Sequence, residues 1–399
     1  MAFKPANNIQ DLQYFGEFGG VNPSISDSST YTFLSAKTMF DTFEGNADGC
    51  YLYSRHSTPS NLYLGKALAA MEGTETATVT ASGMGAITPV LMQLCGAGDH
   101  IVSSRTIYGG TYAFLKNFTP RLNIKTSFVD ITKLDVVEAA ITSNTKVIYC
   151  ESVSNPLLEV ADISSLANLA KKHGLKLIVD NTFSPLSISP AQLGADVVIH
   201  SLTKFINGSS DTVGGVICGT QEFIDDLRNV NDGACMLLGA TMDSLRAASI
   251  LKNLRTLHIR MQQHSLNGMY LAEQFEKDGL KTVYPGLKSH ASHDLFKSMM
   301  NEKYGFGGML TVDVGSLDKA NALMELMQKE NLGYLAVSLG FYKTLFSAPG
   351  SSTSSEIPED EQKEMGLSDG LIRFSIGLDA DIERTYEMMK DCMKELDIL

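Results

Sequence analysis

The residues that could do chemistry in this chain stand at the ends of short apolar runs. Residues 197–204, Val-Val-Ile-His-Ser-Leu-Thr-Lys, place Ser201, Thr203 and Lys204 just past a strand-like segment. A lysine beside a buried strand end is desolvated, which lowers its pKa and makes its amine nucleophilic; a surface loop can also carry one. Residues 176–180, Lys-Leu-Ile-Val-Asp, end in Asp180, either a cap for the next segment or a functional charge. Ser82-Gly83-Met84-Gly85 follows another such run and opens a helical one. Glycines there let the backbone approach an anion, and a helix N-terminus offers free N–H groups and a positive dipole end. A dinucleotide fingerprint needs a third glycine three residues after the second. Thr88 occupies that place, so the turn reads as a phosphate site or simply a tight strand-to-helix turn.

A helix-capped phosphate turn, a strand-end carboxylate and a Ser-x-Thr-Lys group are together what pyridoxal 5'-phosphate (PLP) requires. A lysine binds its aldehyde, an aspartate keeps its pyridine nitrogen protonated so that the ring can accept electrons, and hydroxyls and N–H groups hold its phosphate. In open α/β sheets such ligands sit beyond the carboxyl ends of the strands. The elements needed to put them there are present. Strand-like runs at 76–80, 101–102, 125–129, 147–150, 177–179, 197–199 and 213–218 alternate with helical patterns at 86–95, 110–118, 135–141 and 164–173, the last stopped by Gly174. This alternation predicts an α/β fold with a large, mostly parallel sheet covered on both faces. A long helical stretch follows over 240–277, broken mainly at Gly268, and then a smaller α+β unit. In that unit, strands are expected at 309–314, 335–338 and 371–376, helices at 319–329 and 381–396, and a Ser/Pro/Glu-rich loop at 347–362. Residues 1–58 are irregular and aromatic-rich, suited to an arm on another domain or subunit. The domain reading is an arm over 1–58, a cofactor domain over 59–257 and a C-terminal domain over 258–399.

Composition narrows the function classes. The chain has 399 residues, 44% apolar and 19% charged, with a net charge of −13. That is a globular composition, with no general attraction to nucleic acid or anionic membranes. The six cysteines show no C-x-x-C spacing, and His258, His264, His290 and His293 lack acidic partners at ligand spacing. Hence neither a disulfide scaffold nor a metal is expected, and the cytoplasm is the expected compartment. The uncharged stretch 76–98 is broken by glycines and Pro89, so it reads as strand, turn and helix, not as a membrane span.

Several motifs in order then resemble the cystathionine γ-lyase / methionine γ-lyase family of PLP enzymes over roughly residues 15–395. They are Tyr53-Ser54-Arg55 with Pro59, residues 81–86 (Ala-Ser-Gly-Met-Gly-Ala), Tyr108-Gly109-Gly110-Thr111, Glu151-Ser152 with Asn155-Pro156, residues 179–182 (Val-Asp-Asn-Thr), residues 200–204, Ser338-Leu339-Gly340, and Arg373 with Ser375 and Gly377. The resemblance implies an aspartate aminotransferase-like fold of type I. It further implies that Lys204 carries PLP and shuttles protons, Asp180 pairs with the pyridine nitrogen, and Tyr108 stacks on the ring and protonates the leaving group. Ser82, Gly83, Met84, Ser201 and Thr203 would bind the phosphate. Tyr53 and Arg55 would reach the phosphate of a neighbouring subunit, with Tyr53 also facing its substrate. Asn155 would approach the ring hydroxyl, and Ser338 and Arg373 would hold the substrate carboxylate. A homotetramer of two active-site dimers, acting on a small amino acid, is the implied assembly. His200 is read as a structural core residue.

Family membership leaves the reaction open among γ-elimination, γ-replacement and some β-chemistry. The stretch 350–356 (Gly-Ser-Ser-Thr-Ser-Ser-Glu), with 127–132, 236–239 and 284–286, is similar to methionine γ-lyases of the plant type. That implies elimination of methanethiol from methionine. The alternatives are cystathionine γ-lyase, cystathionine γ-synthase or O-acetylhomoserine sulfhydrylase chemistry, or a non-catalytic protein that keeps the fold. Three departures bear on this: Gly110 where many bacterial methionine γ-lyases have Cys, Lys343 where many relatives have Glu, and Thr58 where Asn is common. A lysine at 343 facing the pocket would repel the distal ammonium of cystathionine.

Overall fold

The computed structural model describes residues 3–47, 49–351 and 358–399. Seven strands form the larger sheet: β1 (Thr76–Thr80), β2 (His100–Ser104), β3 (Lys125–Val129), β4 (Thr145–Glu151), β5 (Lys176–Asp180), β6 (Val197–Ser201) and β7 (Gly215–Gly219). Their order is β1-β7-β6-β5-β4-β2-β3. The pairs from β6 through β3 are parallel, and β7 runs antiparallel to both β6 and β1. Parallel neighbours need crossover connections, and their helices cover both faces. The two-residue strand period distributes the side chains accordingly. In β4, Ile148 and Cys150 join the core under helices Pro59–Glu72 and Ile163–His173, while Val147 and Tyr149 join the opposite core under helix Met84–Leu94. Burial on both faces is why these strands read as unbroken apolar runs.

The smaller sheet contains β8 (Lys281–Val283), β9 (Met309–Asp313), β10 (Tyr334–Leu335), β11 (Leu345–Ser347) and β12 (Leu371–Ser375), ordered β10-β11-β12-β9-β8. Leu310, Val312, Ile372 and Phe374 pack on Leu323 of helix Leu317–Lys329 and Met389 of helix Ile382–Glu395. Helix Leu257–Lys277 gives Leu257 and Met261 to the first core and Leu271 and Phe275 to this one.

Four expectations change. The helical stretch breaks at Arg255–Thr256, between helices Ser244–Leu254 and Leu257–Lys277, and runs straight through Gly268. A side chain at Gly268 would crowd the Gly307 carbonyl and the Tyr284 ring, so this glycine serves close packing. The strand expected at 335–338 is only Tyr334–Leu335, because pairing with β11 ends there and the chain turns toward the site. The 347–362 segment is not all loop: it begins with the last residue of β11, forms a short turn over Pro349–Ser351, and enters helix Glu359–Glu364. Residues 352–357 of that segment lie outside the described residues. The N-terminal region is not wholly irregular either; it holds helices Pro5–Gln10 and Ala36–Phe43.

Residues 3–14 dock on helix Pro59–Glu72 through Asn8 to the Ala70 carbonyl and Tyr14 to the Tyr63 carbonyl. Beyond them Phe15, Phe18, Leu34 and Phe40 are exposed. Thr58 caps helix Pro59–Glu72 by accepting the Asn61 N–H, which gives this departure from the family pattern a helix-start role. No helix among the described residues is long and apolar enough to cross a membrane.

Candidate functional site

The ends of β4, β5 and β6 converge on a cavity of about 240 Å³. Register places Glu151 beside Asp180, and Asp180 beside Ile199. The strand period puts Glu151, Asp180 and Ser201 on the face of Tyr149, Ile178 and Ile199, under helix Met84–Leu94. That helix begins at the Gly83 turn, where Ser82 Oγ accepts the Gly85 N–H at 2.9 Å. A Cβ at Gly83 would lie 2.9 Å from the Ser201 Cβ, so glycine is what lets the helix start approach β6.

Lys204 lies past β6, largely buried, and its Nζ donates to Ser338 Oγ at 3.2 Å. Burial, and then the Arg373 charge, lowers its pKa to about 8. Ser338 arrives from the smaller domain because Gly340, at φ 78°, lets the chain turn against Lys204 and Phe205. A Cβ there would sit 2.5 Å from the Phe205 backbone nitrogen. Gly340 N–H is also held by Ser375 Oγ at 2.8 Å.

Asp180 is buried, with Oδ1 accepting both the Thr182 N–H at 2.9 Å and the Thr182 hydroxyl at 2.5 Å. Thr182 Oγ1 in turn accepts the Ser201 N–H at 2.8 Å, which stitches β5 to β6 beyond their ends. Burial raises the Asp180 pKa, and the Thr182 bonds oppose it. Glu151 is also buried; burial and then the Asp180 charge raise its pKa, and the Tyr108 and Asn155 N–H donors and the Arg373 charge oppose the rise. Two buried carboxylates side by side each disfavour the other's ionisation.

Arg373, from β12, is fully buried and reaches across to donate from Nη1 to Asn155 Oδ1 at 2.9 Å. Asn155 precedes Pro156 through a cis peptide. Tyr108, half exposed, immediately precedes the short helix Gly109–Ala113. Its ring folds over Gly110, where a Cβ would lie 2.6 Å from the ring. The Thr203 hydroxyl donates to the Gly214 carbonyl at 3.3 Å and accepts the Gly214 N–H at 3.1 Å.

Of the residues expected from the sequence, Ser82, Gly83, Met84, Tyr108, Asn155, Asp180, Ser201, Thr203, Lys204 and Arg373 line this one cavity. Ser338 touches it through Lys204. Tyr53 and Arg55 do not line it: they lie together at the end of the arm, exposed, with Arg55 bonded to the Met236 carbonyl of its own chain. His200 is fully buried behind the sheet and bonded to Glu72 at 2.7 Å, a core residue as expected. The sequence reading gave no role to Glu151 or Thr182. The signal for Glu151 was the one used for Asp180, a carboxylate ending an apolar strand.

These groups fit PLP. A buried lysine of lowered basicity can bind an aldehyde. A buried carboxylate can face a pyridine nitrogen, the helix start and the β6 hydroxyls can take a phosphate, and Tyr108 can cover a ring.

Comparison with known proteins agrees. The model of the Cys/Met metabolism PLP-dependent enzyme family matches residues 7–396. The chain is 45% identical over 389 residues to a methionine γ-lyase of Arabidopsis thaliana, covering 96% of this chain and 88% of that one. Among solved structures, cystathionine γ-lyase of Lactobacillus plantarum aligns with a TM-score of 0.89 at 28% identity, over all of both chains. A Campylobacter jejuni chain assigned as an O-acetylhomoserine (thiol)-lyase, which carries N'-pyridoxyl-lysine-5'-monophosphate, aligns with a TM-score of 0.90 at 30% identity, over 98% of this chain and all of that one. With the fold, the lysine and the pocket accounted for, the chain belongs to the Cys/Met metabolism PLP-dependent enzymes, as a carbon–sulfur lyase of fold type I.

Proposed function

We propose that this enzyme is a methionine γ-lyase, converting L-methionine and water to methanethiol, 2-oxobutanoate and ammonia. The observation that carries this choice is the apolar part of the cavity lining, which includes the buried Leu339 and the valines Val213 and Val337, both exposed in the single chain. It suits a thioether. Among the described residues, the charged side chains lining the cavity are Glu151, Asp180, Lys204 and Arg373. Glu151 and Asp180 are engaged by Tyr108, Asn155 and Thr182, which leaves the apolar side chains to meet a distal group, and these favour a thioether over the ammonium of cystathionine. Lys343 plays no part in this. Its ammonium donates to Asn331 Oδ1 and sits 5.1 Å over the Tyr334 ring, outside the cavity lining. Lys343 thus does not face the pocket, and the condition for its repelling cystathionine is not met. The likeness to the Arabidopsis enzyme supports the same reading.

When bound, PLP supplies the electron sink for charge left on the substrate carbons. The protein's residues do the rest. Arg373, with Ser338, fixes the substrate carboxylate. Lys204, with its basicity lowered toward neutral pH, takes the Cα proton and redelivers it. Tyr108 stacks on the cofactor and gives a proton to the departing thiolate. Gly83, Met84, Ser201 and Thr203, with the Ser82 turn, hold the phosphate. Tyr53 and Arg55 complete a neighbouring subunit's site in a cytoplasmic homotetramer, which accounts for their exposure here.

The test is 2-oxobutanoate release by the PLP-loaded enzyme from L-methionine, with L-cystathionine and O-acetylhomoserine in parallel. Methionine as best substrate without added thiol supports the proposal. Efficient turnover of O-acetylhomoserine with an added thiol, and little release from methionine, would move the enzyme to γ-replacement.

A further inference from the structure

We propose that Glu151 is a positioning residue that couples the cofactor half of the site to the substrate-carboxylate half. It ends β4, the strand beside β5, and is buried. Its Oε1 accepts the Tyr108 backbone N–H at 2.7 Å, and its Oε2 accepts the Asn155 backbone N–H at 2.8 Å. Tyr108, at the N-cap position of helix Gly109–Ala113, is itself the residue proposed to stack on the cofactor ring. Asn155 Oδ1 accepts from Arg373 Nη1 at 2.9 Å. One carboxylate thus joins a residue 43 positions earlier to one four positions later, and through it to the smaller domain.

The residue type is dictated by this arrangement. Two N–H donors converge on one side chain, and only a carboxylate offers two acceptor oxygens without a donor. Glutamine would turn its NH2 toward one of the two N–H groups and release that loop. The Arg373 Nε is buried without a partner among the described residues, so the guanidinium keeps a donor for an incoming carboxylate. A carboxylate docking on Arg373 and Asn155 therefore pulls on Glu151, and through it on Tyr108.

The proposal rests on the reading of Arg373 as the substrate-carboxylate clamp. The probe is the des-amino analogue of methionine, which keeps the carboxylate and thioether but cannot react. Its affinity for the PLP-loaded enzyme is measured by calorimetry, and the visible circular dichroism of the bound cofactor is recorded with and without it. In the wild type the analogue binds and changes the dichroism. In Glu151→Gln, binding weakens about tenfold or more, as for loss of a charge-assisted hydrogen bond, and the dichroism no longer responds. Glu151→Asp, which restores both acceptors on a shorter stem, recovers part of each. Asn155→Ala, which removes the acceptor of Arg373 Nη1, weakens binding of the analogue as well. If Glu151→Gln does not fold, Glu151→Asp serves alone, with losses of the same kind but smaller. Wild-type affinity and wild-type dichroic response in the folded variant would overturn the coupling. Failure of the wild type to bind the analogue would instead refute the clamp reading, and the proposal with it.

Discussion

Replacing Lys204 by methionine removes a buried amine and keeps most of its volume. In the folded protein without cofactor, burial and the nearby Arg373 hold the Lys204 pKa at about 8, against 10.5 for an exposed lysine. At about 1.4 kcal/mol per pH unit, that gap is a folding cost of roughly 3 kcal/mol at neutral pH. The sign follows from proton counting. Between pH 8 and 10.5 the unfolded chain holds the proton that the folded chain has lost, so wild-type stability rises with pH across that window. Below it the cost is present in full. Lys204→Met should therefore stabilise the cofactor-free protein by about 1–3 kcal/mol at pH 7, since the lost bond to Ser338 offsets about 1 kcal/mol. The advantage should shrink from pH 8 upward and vanish by about pH 10.5. Urea unfolding of both proteins at fixed concentration, from pH 6.5 to 10, measures it. A variant less stable than wild type at pH 7, or a gain that does not decline with pH, would refute the picture of a strained, desolvated amine. The same variant should lack the visible band of lysine-bound cofactor; a persisting band would put PLP on another lysine.

Gly83→Ala should weaken PLP binding, because its new Cβ would lie 2.9 Å from that of Ser201 and push the helix start away from β6. The overpacking cost is about 1–3 kcal/mol, read by cofactor titration; unchanged affinity would deny the phosphate role. Gly110→Ala should displace the Tyr108 ring, 2.6 Å from the new Cβ, and lower kcat more than it raises KM; steady-state kinetics separate the two, and unchanged kcat would show the ring free to move elsewhere. Arg373→Leu should raise KM for methionine by about tenfold to a hundredfold while the cofactor band remains, as expected for loss of a charged hydrogen-bonding partner. Lys343→Glu should leave the ratio of methionine to cystathionine turnover within about twofold, since its partners Asn331 and Tyr334 lie outside the cavity lining. A strong shift toward cystathionine would place residue 343 at the substrate.

Much of this enzyme is written in local pattern. The bounds of β1 and β3 coincide with the runs 76–80 and 125–129, and helix Ile163–His173 stops at Gly174 as expected. Local chemistry suffices there, because apolar runs between turn residues must become buried strands in any fold that buries them. Lys204, Asp180 and the Gly83 turn were legible for a related reason: a polar group ending a buried strand is already at the place where α/β sheets bind ligands. What the sequence left open depends on partners distant along the chain. Gly268 carries no sign that it faces Tyr284 and the Gly307 carbonyl, and so reads as a helix break when it is a packing contact. Residues 335–338 have strand composition, but a strand needs a paired neighbour, and of these residues only Leu335 is in register with β11. Lys343 carries no sign in the sequence that it meets Asn331 and the Tyr334 ring and does not line the cavity. Glu151 looked like any strand-end acid until Tyr108 and Asn155 were found donating to its two oxygens. Residue type and strand ends determined the cofactor chemistry; which side chains share a face, and which donors converge on one acceptor, are long-range contacts that only the packed tertiary structure decided.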